Sequence, residues 1–125
     1  MWRTSVTADG SQSDEMLVLC SDGTGAFAEA NFGPYHETPI TWYVEHDVLT
    51  ICTDRNTICH DPIRYERDVI VPCMSGEEKH FSALMNAAYG FDFYRDISIK
   101  TPAQAESDAQ AGMRFLAEER NASGI

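Results

Sequence analysis

Basic residues are scarce in this chain. Lys and Arg number 9 against 20 Asp and Glu, for a net charge of −11. Phosphate binding needs clustered Lys and Arg, so the charge argues against nucleic acid or anionic lipid as the main partner. Long apolar runs are also missing. No stretch approaches about 18 consecutive apolar residues, so no membrane-spanning helix is expected. Residues 1–10, MWRTSVTADG, hold neither an apolar segment nor the small-residue cleavage site of a secretory signal. A cytoplasmic location is the expectation. Internal repeats, low-complexity blocks and linkers are absent, and 125 residues suit one domain, 1–125, with a tail that frays from about 121.

Metal-ligand spacings are absent as well. Structural zinc usually takes close pairs such as C-x2-C. Here the cysteines are Cys20, Cys52, Cys59 and Cys73, with six residues between Cys52 and Cys59. Four thiols in a reducing compartment are the expectation, with two disulfides or a zinc site as alternatives. His36, His46, His60 and His80 form neither H-x-x-x-H nor H-E-x-x-H. No metal or cofactor is expected. Cys59-His60-Asp61 is the one local grouping with nucleophile, base and acid. Catalytic Cys and His are usually apart in sequence and close in space, so adjacency lends little support to an enzyme. Asp22-Gly23-Thr24-Gly25 is glycine-rich, yet a phosphate loop would lead from a strand into a helix, and here a strand follows.

Two patterns divide the chain. Residues 1–72 read as strands and turns, and 75–121 mainly as helix. Met16 to Cys20 is a short apolar run, and Ala26 to Phe32 returns from the glycine turn. Ile40, Trp42 and Val44 alternate with Thr41, Tyr43 and Glu45, and Val48 to Thr53 forms the partner strand after a turn at Glu45-His46-Asp47. Ile63, Tyr65, Val69 and Val71 read as one face of a further strand, interrupted by Arg67 and ended by Pro72. Ser75 and Glu78 make a capping box for a helix whose stripe is Phe81, Leu84, Met85, Ala88 and Tyr89. Phe91, Phe93, Ile97 and Ile99 then alternate as a strand. Thr101-Pro102-Ala103-Gln104 opens a last helix with Ala105, Ala109, Met113 and Leu116 on its buried stripe. The expected class is α+β: an N-terminal antiparallel β-meander of about five to six strands, followed by helix-strand-helix.

Trp2, the run Leu17 to Gly25 and the hairpin Ile40 to Ile51 carry a resemblance. Together, residues 2–53 resemble the opening of small bacterial lipocalin-like domains, with a leading Trp, an apolar strand ending in Asp-Gly-Thr, and a Trp-bearing hairpin that leads into a Leu-x-Ile strand. The resemblance covers some 40% of the chain, and it implies a curled meander around a pocket. The two expected helices depart from that pattern, and fold analogy alone transfers no site.

Charge is unevenly spread. Residues 1–62 hold ten acids against two bases, a balance of −8, whereas 63–125 hold ten against seven, or −3. Acids gathered in turns on the strand side would attract a basic partner and speed its encounter. The first functional reading is therefore a binding protein, not an enzyme. It is an inhibitor or immunity-type protein against a basic partner, such as a nuclease or a nucleic-acid-binding protein, whose groove takes carboxylates in place of phosphates. Its surface would use Glu37, Glu45, Asp47, Asp54 and Asp61, with Tyr35 and Tyr43 as aromatic anchors. Solubility alone also explains acids in turns. The alternative reading is a lipocalin-like binder of a small apolar ligand, with a pocket near Phe27, Trp42 and Ile51.

Overall fold

The computed structural model describes residues 1–8, 11–30, 35–55, 57–72 and 98–122. Seven strands follow in chain order: β1 (Trp2–Ala8), β2 (Ser11–Leu19), β3 (Thr24–Ala30), β4 (His36–Glu45), β5 (Val48–Cys52), β6 (Thr57–Glu66) and β7 (Val69–Pro72). One helix, α1 (Pro102–Ala122), ends the described residues. The strands form one sheet in the order β1 to β7, and every neighbouring pair is antiparallel.

The meander is there, but the expected α+β class with helix-strand-helix is corrected. The described residues are largely sheet, with seven strands instead of five to six and a single helix. The helix expected at 75–89 and most of the strand expected at 91–99 lie outside the described residues. Where that strand was to finish, Ser98, Ile99 and Lys100 form a turn and irregular chain leading into α1.

Turn chemistry sets the register. At the β4–β5 corner, His46 and Asp47 both take positive φ, 53° and 60°. Arg67 and Asp68 do the same at 54° and 64°. Two consecutive residues of this kind make the tight hairpin whose twist matches that of paired strands. The stretch 63–71 is therefore two strands and a turn, not one interrupted strand. Between β2 and β3, Cys20 N–H donates to Thr24 O (2.8 Å), and Gly23 N–H donates to Cys20 O (3.1 Å). Gly23 sits at φ 88°, which glycine adopts without a steric cost. Asp22 Oδ1 closes this turn, accepting from Thr24 N–H (3.0 Å) and the Thr24 hydroxyl (2.6 Å).

Side chains on opposite faces of the sheet build two cores. Inside lie Leu17, Leu19, Phe27, Ile40, Leu49, Ile51, Cys59 and Ile63, with Trp42, Val44 and Ile70 packed against them. Outside, Met16, Val18, Cys20, Ala26 and Ala28 meet Ala109 and Leu116 of α1, with Met1, Tyr35, Met113 and Phe115 alongside. The run Met16 to Cys20 is continuous because alternate residues serve different cores, one inside the sheet and one beneath the helix. Small residues at Ala26, Ala28 and Ala109 let α1 lie close to the sheet. A Cβ at Gly112 would stand 3.0 Å from Val18 Cγ2.

The sheet is curled. In a flat sheet β2 and β7 would stand about 24 Å apart, at roughly 4.8 Å per strand. Yet Leu19 of β2 and Val69 and Ile70 of β7 line one cleft.

The start of α1 is held by a reciprocal cap. Gln104 N–H donates to Thr101 Oγ1 (3.2 Å), while Gln104 Oε1 accepts from Thr101 N–H (3.1 Å) and Lys100 N–H (2.8 Å). Pro102 follows, where a missing N–H costs nothing. Thr101→Ala is expected to lower stability by about 1 kcal/mol. A urea midpoint equal to that of the parent protein would show that the cap does not hold the helix.

Candidate functional site

Seven residues were expected on a protein-binding face, and the structure distributes them. Tyr35 and Glu37 stand next to α1. The Tyr35 ring meets Phe115 edge-on at 5.5 Å, and its hydroxyl accepts from the Arg3 guanidinium at 3.3 Å. Glu37 lies 4.0 Å from the Arg120 guanidinium. Tyr43, Glu45 and Asp47 share the β4–β5 hairpin, all of them exposed, and Tyr43 is 52% exposed. Asp54 is exposed beyond the far end of β5, and Asp61 stands in register opposite Leu49. The hairpin thus brings three of the seven together.

Cys59 and His60 are neighbours on β6 and serve opposite faces. Cys59 belongs to the inner core, while His60 is exposed, with Nδ1 2.9 Å from the Thr50 hydroxyl. They do not form a nucleophile–base pair. Cys20, Cys52 and Cys59 are thiols outside any disulfide, and Cys73 lies outside the described residues. Burial pushes the Cys20 thiol up, and the Asp22 charge adds to the effect. A thiol held neutral in this way is a poor nucleophile. Among the described residues no three His, Cys, Asp or Glu side chains gather to hold a metal ion.

Of the three residues expected near a pocket, Phe27 and Ile51 are core, 1% and 0% exposed. Trp42 is different. It is half-buried and lines a cleft of about 150 Å³ at one end of the curled sheet. Leu19, Val69 and Ile70 join it from the strands, and Pro102 and Ala105 from the first turn of α1. Ser21, Asp68 and Glu106 add the polar part of the lining.

This cleft is well fixed. Trp42 Nε1–H points at two carbonyl oxygens of the β2–β3 turn, Cys20 O at 2.8 Å and Thr24 O at 3.0 Å. Trp42 N–H donates to Gly23 O at 2.9 Å. Glu106 Oε2 accepts from Ser21 N–H at 3.1 Å, tying the helix to the same turn, and its Oε1 accepts from the Gln110 amide at 3.0 Å. The bond from Ser21, with that from Gln110 behind it, holds the Glu106 carboxyl below the ordinary glutamate value. A carboxyl kept ionised by folding adds stability above its ordinary pKa and loses it as pH falls through the lowered value. The Ser21 amide resonance is therefore expected to titrate with a midpoint below 4.5, the ordinary value. A midpoint at or above 4.5 would show that the turn and helix are not joined through Glu106.

Sequence reasoning reached Trp42 through its strand alternation. It missed Asp68, Val69 and Glu106, which approach Trp42 only because the sheet curls and α1 crosses its end. The described residues contain no helix long and apolar enough to cross a membrane. Comparison with protein-family models, with curated proteins and with solved structures gives no match.

Proposed function

We propose that this chain is a small-molecule-binding protein whose ligand occupies the cleft beside Trp42. The carrying observation is the cleft itself: six of its nine described lining residues are apolar, with three polar groups among them. Binding sites for small ligands combine a mainly apolar concave wall with a few placed polar groups. Its volume of about 150 Å³ matches a space that holds a single benzene-sized group. Phe27, Leu49 and Ile51 of the inner core are buried and do not line this cleft, so the proposed ligand sits at the mouth of the curled sheet. Kinship of residues 2–53 with lipocalin-like domains and a cytoplasmic setting belong to the same proposal. A curled meander and thiols outside disulfides support them.

Trp2→Phe leaves Trp42 as the single tryptophan. Titration of that variant with 2-phenylethanol is expected to shift Trp42 emission saturably. Emission unchanged to millimolar probe, for the alcohol and for 2-phenylethylammonium alike, would remove the cleft as a ligand site.

A second reading rests on a different observation, the exposed Tyr43 beside Glu45 and Asp47 on one hairpin. Here the chain is an acidic inhibitor that docks a basic protein, the hairpin entering its groove. Charge reversal at Glu45 and Asp47 is expected to abolish salt-sensitive capture of such a partner. Capture that survives reversal with the same salt dependence would end this reading.

A further inference from the structure

Among the described residues the lining of the cleft is one-signed: its charged members are Asp68 and Glu106, with no described Lys or Arg beside them. Among the described residues the ion pairs of Arg64, Arg120 and the Met1 ammonium go to Glu66, Glu37 and Asp108, so neither cleft carboxylate is neutralised by them. Glu106 is held in place by single bonds to its two oxygens, and a carboxylate has about four acceptor positions, so capacity for another donor remains. Its lowered pKa keeps it charged at neutral pH. Trp42 supplies the third element. Indole is the best of the side-chain rings at attracting a cation, and this one is anchored through its N–H.

Resting on the ligand-binding reading, we propose that the cleft selects an organic monocation. The ligand is a single ring or similarly sized apolar body bearing an ammonium group, the body against Trp42, Val69 and Pro102 and the ammonium against Asp68 and Glu106. An anion of the same shape is repelled by both carboxylates. A neutral analogue fills the apolar wall and gains no charge–charge attraction from them.

Three probes of one shape test this in the full-length Trp2→Phe protein: 2-phenylethylammonium, 2-phenylethanol and 3-phenylpropanoate, each followed by Trp42 fluorescence. The ammonium is expected to bind about tenfold more tightly than the alcohol, and the carboxylate more weakly than either. Asp68→Asn and Glu106→Gln are each expected to reduce the ratio of ammonium to alcohol affinity about threefold. In the Glu106→Gln variant the side-chain amide oxygen can still accept from Ser21 N–H, so the fold is retained. Equal binding of all three probes overturns the charge selection and leaves the ligand-binding reading standing. No saturable binding of any probe overturns both, as do contacts that place residues 73–97 of this chain in the cleft.

Discussion

Gly25→Ala is expected to cost about 3 kcal/mol or more, enough to unfold a marginally stable domain. Gly25 pairs with Leu19 across the β2–β3 ladder and with Ile40 across β3–β4. A Cβ there would be driven into the Val18 carbonyl oxygen, with its carbon at 3.1 Å and Ile40 Cδ1 at 3.4 Å. The obstacle is backbone and cannot turn aside as a side-chain tip does. Either β2 and β3 separate, which breaks their hydrogen bonds, or Val18 moves and disturbs its packing under α1. Both cores lose. A loss of the cooperative urea transition, or a midpoint lowered by more than about 1 M, is the expected result. A midpoint within error of the parent would mean that the two strands do not approach as closely as the structure has them.

Phe27→Ala has the second largest expected effect, about 3–5 kcal/mol. Phe27 is 1% exposed and faces Leu17 across β2–β3 on the inner side of the sheet. Removing its ring forfeits transfer energy and leaves a cavity among Leu17, Ile40 and Leu49, which the surrounding ladder cannot close without moving strands. Phe27→Leu should cost much less, because most of the volume stays. Chemical denaturation of the pair separates burial from cavity formation. Equal losses for Ala and Leu would contradict close packing around the buried Phe27 ring and would revive Phe27 as a pocket residue.

Part of this fold was legible in the chain. Local chemistry announced the cap at Thr101 and Gln104, because the bonds that make it lie within four residues. Alternation announced Ile40, Trp42 and Val44 as one face, because strand period is a property of the backbone. The β6–β7 turn was hidden. Positive φ at tight hairpins is usually marked by Asn-Gly or Asp-Gly, and here Arg67-Asp68 adopt it without glycine. Tyr35 follows Gly33-Pro34 and reads as an exposed loop residue, yet its ring packs on Phe115, 80 positions along the chain. The cleft lay furthest from reach. Its walls come from β2, β4, the β6–β7 hairpin and α1, and they converge through curl and helix placement, which no window of sequence contains.

The charge imbalance takes on a narrower meaning in three dimensions. The acids were legible by count, but their placement was not. Glu37 is committed to Arg120, Asp22 to its own turn and Asp108 to the Met1 ammonium. Among the described residues, Asp68 and Glu106, in the more balanced half of the chain, are the acids that reach the cleft.

The central claim is that a ligand sits at the mouth of the curled sheet, beside Trp42. Two-dimensional amide NMR of the Trp2→Phe protein, titrated with 2-phenylethylammonium, tests it most directly. The predicted result is a saturable set of shifts confined to Leu19, Ser21, the Trp42 indole N–H, Val69, Ile70 and Ala105. Shifts absent there, or gathered instead on the β4–β5 hairpin around Tyr43, would contradict it.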